Sequence, residues 1–197
     1  MSTAALGPQP VVIADRLISR SLATDITLVL TGAVTVGVLA QVGFGYPVPW
    51  TGQTLGVLLV GGSLGMRRGA MSLFTYLALG VAGVPWFSNF GGGPGYLLAP
   101  SFGYIIGFVF AAALTGWLAE RTWDRKPLLA MAGFVLASLV PFLIGVPYLA
   151  MMMGYGDVST ALAAGFTPFI LGGLVKCAIA AAIFPAAWAA VRTLDQR

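Results

Sequence analysis

Long apolar runs without charge are the feature that most limits how this chain can fold. The sequence has no charged residue between Asp25 and Arg67, and again none between Lys126 and Asp157. Soluble domains carry roughly 25% charged residues, whereas only 8% of these 197 residues are charged. So few charges cannot cover a water-facing surface. The runs therefore predict an all-α integral membrane protein whose helices cross the bilayer.

Six apolar segments are long enough to be considered as membrane spans. They comprise residues 26–42, 53–65, 69–84, 101–119, 128–151 and 168–191. At 1.5 Å of rise per residue, the second segment reaches only about 20 Å, so we expect it to be tilted or to extend into its flanking loops. Residues 43–50 and 85–100 are rich in Gly, Pro and aromatic residues, which is typical of turns at the membrane interface.

The positions of the basic residues predict the orientation of these six spans. Nine Lys and Arg residues fall on one side of the membrane if there are six spans: Arg16, Arg20, Arg67, Arg68, Arg121, Arg125, Lys126, Arg192 and Arg197. The positive-inside rule places this side, with both termini, in the cytoplasm. The expected organisation is a cytoplasmic tail over 1–24, a membrane domain over 25–192 and a second cytoplasmic tail over 193–197 in a multi-pass protein of the cytoplasmic membrane.

Missing residue types exclude several chemistries. The chain has no His and one Cys, Cys177, so imidazole catalysis and His- or thiolate-ligated metal sites are excluded. It also lacks the GxxxxGK[ST] loop that cradles nucleotide phosphates. We therefore expect no catalytic residue, no metal and no cofactor. The expected surroundings are membrane lipid and not nucleic acid. A membrane enzyme would have to use Asp157, Glu120 or Asp124 at a span end.

Lys176 is the one basic residue within a predicted span. A Lys near a helix centre costs about 2.5–3.5 kcal/mol, and no span contains an acid that could pair with it. A substrate anion is one possible partner, while snorkelling to an interface roughly 12 Å away is the alternative. Gly172, Gly173 and Ala180 share its helix face. These small residues indicate either space beside the ammonium or close helix packing.

Ordered motifs along most of the chain resemble the BioY family. Residues 50–59 (WTGQTLGVLL) are similar to the family's P-x-T-x-Q-T-x-x-V-L-L, and residues 65–72 (GMRRGAMS) and 76–80 (YLALG) continue the match. Residues 83–87 (GVPWF) and 100–108 (PSFGYIIGF) are similar to its G-x-P-V-F and G-P-T-G-G-Y-L-x-G-F motifs. Residues 167–176 (TPFILGGLVK) are similar to P-F-x-x-G-D-x-x-K.

The resemblance implies a fold and a function. BioY proteins are the biotin-specific substrate-binding (S) components of energy-coupling-factor (ECF) transporters, with six membrane helices and the vitamin bound near the extracellular face. A transmembrane coupling protein and two ATPase subunits are the implied partners, although some members are thought to work without them. Biotin is then the transported ligand.

The resemblance also implies site residues. Lys176, Gln53 and Tyr104 match family motif positions, and Asn89 matches a polar position in the loop after the third span. The family commonly has Asp where this chain has Gly173, which puts that contact in doubt and admits a different vitamin as the substrate. Asn89 can both donate to and accept from a ureido group, or it can serve only the turn. Charge matching favours the biotin carboxylate as the partner of Lys176, while the ureido oxygen stays an alternative.

Aromatic and small residues complete the predicted site. Five side chains can wall a biotin site or form an interface belt: Trp86, Phe87, Phe90, Tyr96 and Tyr148. In the resembled family, small residues of the first span face the coupling protein, which would assign Ala33 and Gly37 to that interface. Packing against another span of the same chain is the alternative. A purely structural membrane subunit is a further alternative, against which the isolated Lys176 argues.

Overall fold

The fold, seen in a computed structural model that describes residues 12–194, is almost entirely helical. The distal parts of the two predicted tails, 1–11 and 195–197, lie outside the described residues. The helices are α1 (Ile13–Leu17), α2 (Leu22–Ala40), α3 (Gln53–Ala82), α4 (Phe102–Ala119), α5 (Pro127–Met153), α6 (Val158–Gly165) and α7 (Phe169–Leu194). Strands β1 (Gly43–Phe44) and β2 (Trp50–Thr51) form an antiparallel hairpin in which Gly43 pairs with Thr51. Short 3-10 turns occupy Ser88–Phe90, Pro94–Leu98 and Trp123–Arg125.

Helix α3 reverses direction at Gly65. The backbone there has φ 84° and ψ 177°, a conformation open essentially to glycine alone. Gln53 Nε2 donates a hydrogen bond of 2.6 Å to the Tyr76 hydroxyl, although 23 residues of continuous helix would separate these positions by about 34 Å. Residues 53–64 and 66–82 are therefore two antiparallel arms. They correspond to the predicted segments 53–65 and 69–84.

A carboxylate and a second glycine stabilise this reversal. Glu120, at the end of α4, accepts a hydrogen bond of 2.8 Å from the Met66 backbone N–H through Oε1. It thus satisfies a free donor at the start of the second arm. Gly116 packs directly on the reversal, since a β-carbon there would overlap Gly65 C and Met66 N. The backbones of α3 and α4 are in contact at this point.

Ion pairs attach α1 to the bundle. Asp15 accepts from Arg20 at 2.7 Å and from Arg68 at 2.8 Å. Burial opposes ionisation of this carboxyl, but the hydrogen bonds from the two arginines hold the pKa of Asp15 below its ordinary value. The sequence pattern predicts only an N-terminal tail here, because a five-residue helix carries too little periodicity to be recognised.

A second short helix, α6, lies in the loop between α5 and α7. Asp157 caps it by accepting from the Thr160 backbone N–H at 2.8 Å. Hydrogen bonds from Ser159 and Thr160 lower the pKa of Asp157 to about 2. The sequence pattern predicts only a loop here. Asp157 is thus a helix cap whose acceptor oxygens are already occupied, which argues against the role in acid–base catalysis considered above.

Four helices of the described part are long and apolar enough to cross a bilayer: α2, α4, α5 and α7, the last over Phe169–Thr193. Large apolar side chains cover the outside of the bundle, as Leu143 and Leu171 illustrate with 75% and 73% of their surface exposed. Soluble monomers rarely expose such continuous apolar surface. The fold is therefore that of an all-α membrane protein, as predicted from the apolar runs.

Candidate ligand-binding site

A cavity of about 540 Å³ lies at the end of the bundle that carries the hairpin and the loop after α3. Its wall comprises Val48, Pro49, Thr51, Gln53, Thr54, Tyr96, Ser101, Tyr104, Ile105, Phe108, Ser138, Pro141, Phe142, Phe169 and Lys176. Four predicted site residues meet in this wall: Gln53 of α3, Tyr104 of α4, Lys176 of α7 and Tyr96 of the loop after α3. The structure therefore brings them together.

Lys176 supplies the cavity's positive charge. It lies two turns into α7, and its Nζ donates a hydrogen bond of 2.6 Å to the Thr51 carbonyl oxygen of β2. Thr51 is itself buried, so the side chain is directed into the protein and not toward lipid. Among the described residues, no carboxylate lines the cavity beside it. The ammonium is held by a neutral acceptor, which leaves its charge available to an anion.

Gln53 is buried in a hydrogen-bond chain next to Lys176. Its Oε1 accepts from Thr51 Oγ1 at 2.9 Å, and its Nε2 donates to the Tyr76 hydroxyl at 2.6 Å. That hydroxyl in turn donates to the Trp86 carbonyl oxygen at 3.2 Å. The amide of Gln53 thus has partners within the chain on both sides. In this structure it fixes the start of α3 and the position of Thr51.

Two tyrosines shape the opposite part of the wall. Tyr104 is buried, and its hydroxyl donates to the Gly165 carbonyl oxygen at 2.9 Å, which ties α4 to the end of α6. The ring centroid of Tyr96 lies 4.7 Å from that of Phe87. Burial raises the pKa of Tyr96 above its ordinary value. A phenol is protonated at neutral pH in any case, so the Tyr96 hydroxyl can donate a hydrogen bond.

Asn89 and Phe90 lie outside the wall of this cavity. Both have positive φ, 57° and 55°, in the turn after α3. Asn89 is exposed, and 71% of the Phe90 surface is exposed. Gln41 holds the turn by accepting from the Phe90 backbone N–H at 2.9 Å. A direct contact of either side chain with ligand stays a prediction.

Trp86 and Tyr148 do not line the cavity, but they contact residues that position its wall. Trp86 Nε1 donates to the Tyr76 carbonyl oxygen at 2.9 Å, and its ring lies 5.3 Å from that of Tyr76. The Tyr148 hydroxyl donates to the Leu97 carbonyl oxygen and so attaches α5 to the loop. Ligand contact by these two aromatic residues likewise stays a prediction.

The small residues of α2 pack against the chain itself. Ala33 is fully buried, and a β-carbon on Gly37 would lie 3.1 Å from Trp86 Cβ. These contacts favour the intramolecular explanation of the two positions. Gly173 differs, because it borders a second cavity next to Lys176.

Sequence reasoning missed several wall residues that the structure reveals. Thr51, Thr54 and Phe169 lie within the quoted motifs, so those motifs could have indicated them. Ser138 carried another signal, because it is one of very few polar residues in the predicted span 128–151. The wall as a whole combines one ammonium, several hydroxyls and apolar rings. Such a cavity suits a small ligand with an apolar body and an anionic end.

Comparisons with known proteins agree with this architecture. A sequence model of the BioY family matches residues 12–193. The biotin transporter BioY of Rhizobium etli is 34% identical over 75% of this chain and 82% of its own length. The biotin transporter BioY of Thermotoga maritima is 34% identical over 79% of this chain and 89% of its own.

A solved structure has the same fold. The S-component for biotin from an ECF-type ABC transporter superposes with a TM-score of 0.72, covering 89% of this chain and 92% of that chain at 24% identity. The family match spans nearly all described residues, and the relatives are similar over most of their lengths. The chain belongs to the BioY family.

Proposed function

We propose that this protein binds biotin and mediates its uptake as the S component of an ECF-type transporter. The observation that carries the proposal is the cavity in which Lys176 presents a charge with no carboxylate beside it in the described part of the chain. The relatives named as biotin transporters and the fold shared with a biotin S-component support it. The function requires no cofactor, and no enzymatic step.

Biotin suits the cavity chemically. Its valerate carboxylate matches the ammonium of Lys176. Its thioether ring matches apolar groups of the wall such as Ile105, Phe108 and Phe142. The Tyr96 and Ser101 hydroxyls can exchange hydrogen bonds with the ureido group. This arrangement places the carboxylate at α7 and the ureido ring toward the loop after α3.

The proposed assembly adds a transmembrane coupling protein and two ATPase subunits. The chain has a cavity for the vitamin but no phosphate-binding loop, so ATP hydrolysis has to come from partners. Uptake without the ATPase module is the alternative within the same function. Either way the protein resides in the cytoplasmic membrane.

The two arms of α3, together with α2, α4, α5 and α7, make six membrane segments in the proposed topology. The reversal at Gly65 precedes Arg67 and Arg68, and the predicted basic side also holds the loop between α4 and α5. The cavity lies at the opposite end, whose loops contain no Lys or Arg. The positive-inside rule then puts both termini in the cytoplasm and the cavity near the extracellular face.

Cysteine labelling from outside intact cells tests this topology. On a Cys177→Ala background, Gly156→Cys should react with an impermeant maleimide, because Gly156 is exposed in the loop after α5. Lys126→Cys should react only after the cells are permeabilised. Labelling of Lys126→Cys in intact cells, together with protection of Gly156→Cys, would show that the orientation is opposite to the proposed one.

Biotin titration of the purified protein tests the function. We expect one biotin per chain by calorimetry, with quenching of tryptophan fluorescence. Trp50 adjoins Thr51 and lies 5.8 Å from the Phe169 ring. Trp50→Phe should therefore remove most of the fluorescence change, whereas Trp117→Phe on α4 should retain it. If biotin gives no heat of binding at tens of micromolar protein while another vitamin does, that other vitamin is the substrate and the biotin assignment is wrong.

A further inference from the structure

A second cavity of about 680 Å³ lies between α5 and α7, beside the cavity proposed to bind biotin. The two cavities share Thr54, Ser138, Phe142, Phe169 and Lys176 as wall residues. They are therefore adjacent volumes that both border the Lys176 side chain. We refer to the second one as the side cavity.

The side cavity is apolar and reaches the outside of the bundle. Leu139, Ile170 and Leu174 belong to its wall, and each has between 41% and 45% of its surface exposed. These side chains belong to the lipid-facing surface of α5 and α7. The side cavity thus connects the surroundings of Lys176 with the hydrocarbon region.

Gly173 keeps this passage wide. Among the α-helical glycines of the described residues, it is the one whose added β-carbon would have no atom within 4 Å. Gly172, its neighbour, would already meet the Trp50 ring at 3.2 Å. Close packing therefore does not require glycine at 173, and glycine inside a helix is less stable than alanine. What the glycine provides is empty volume next to Lys176.

From this geometry we infer that the side cavity is a subsite for an apolar extension on the carboxyl end of the ligand. The inference rests on the proposed function, because it assumes that biotin occupies the first cavity with its carboxyl end at Lys176. An N-alkyl biotinamide would keep a carbonyl oxygen that can accept from Nζ. Its alkyl chain would extend past Gly173 between Leu139 and Leu174. Gly173 is then a specificity-determining residue.

The test compares two amides on each protein by calorimetry. N-methyl and N-hexyl biotinamide share the same head, and each buried methylene favours binding of the longer one. On the native protein we expect the hexyl amide to bind at least about threefold more tightly than the methyl amide. On Gly173→Leu we expect it to bind at least about tenfold more weakly than the methyl amide, because the leucine side chain fills the passage.

Two further variants make the comparison decisive. Leu139→Trp narrows the passage from α5 and should reverse the preference in the same way, even if Gly173→Leu does not fold. Ala178→Leu adds the same bulk at an exposed position of α7 outside both cavities and should keep the native preference.

Two outcomes would overturn the inference, and they can be told apart. In the first outcome biotin binds, but the ratio of the affinities for the two amides is the same in native protein, Gly173→Leu and Leu139→Trp. The side cavity is then not a ligand subsite, and a lipid acyl chain is its occupant. If biotin itself does not bind to the native protein, the proposed function fails, and this inference fails with it.

Discussion

Lys176→Ala is expected to weaken biotin binding by roughly thirtyfold or more. Removing one member of a buried charge pair costs on the order of 2–5 kcal/mol, and about 1.4 kcal/mol corresponds to tenfold in affinity. The loss should be large because Lys176 is the one cation that lines the cavity among the residues 12–194 that the structure describes. Lys176→Arg should also weaken binding, since its planar group does not match a site shaped around an ammonium. Calorimetry on purified variants measures both effects.

The ligand offers a matched test of the charge assignment. Biotin methyl ester lacks the carboxylate, so it should lose much more affinity on the native protein than on Lys176→Ala. Lys126→Ala serves as the control, because Lys126 is exposed in the loop between α4 and α5 and should leave both affinities unchanged. If the ester loses the same affinity relative to biotin on the native protein and on Lys176→Ala, Lys176 does not contact the carboxylate. The lysine would then contact the ureido group or lie outside the site.

Gly116→Ala is expected to give the largest loss of stability among single-methyl additions in α4. The new β-carbon would overlap the backbone of Gly65 and Met66, which cannot rotate away as a side chain can. Overpacking typically costs about 1–3 kcal/mol, and contact with backbone atoms places this variant at or above the upper end. A change of about 3 kcal/mol corresponds to roughly 6–12 °C in melting temperature for a chain of this length.

Thermal unfolding in detergent, followed by circular dichroism, measures this change. Gly133→Ala is the control in the neighbouring helix, because its new methyl group would first meet the mobile end of Leu118 at 3.2 Å. It should melt within a few degrees of the native protein. A Gly116→Ala protein that melts with the native one would contradict the backbone contact between α3 and α4.

The membrane helices were largely predictable because their apolar runs are long. The break between residues 65 and 69 is also predictable, since Arg67 and Arg68 interrupt the run. The sequence could not show that Gly65 makes the reversal within one residue, or that Glu120 and Gly116 support it. Those contacts join residues about 50 positions apart, and no local pattern encodes them.

The candidate site was predictable where charge was decisive and less so where shape was. Lys176 stands out in sequence because a buried ammonium is costly. Aromatic residues in a loop carry no comparable signal, since each can face the cavity, the interface or a neighbouring ring. Tyr96 lines the cavity, whereas Phe90 faces outward. The hairpin that delivers Thr51 depends on pairing two strands of two residues each, which is too short to recognise.

The hydrogen bond between Lys176 and Thr51 bears on the entropy of ligand capture. A free lysine side chain loses up to about 2 kcal/mol of rotamer freedom when it is immobilised. Here the Thr51 carbonyl oxygen, 2.6 Å from Lys176 Nζ, already restrains the lysine side chain. The loss of rotamer entropy therefore occurs when the protein folds and not when the ligand binds. An ammonium has three N–H donors. Among the residues that the structure describes, Thr51 is the partner of one of them, which leaves two directed donors for the two oxygens of an arriving carboxylate.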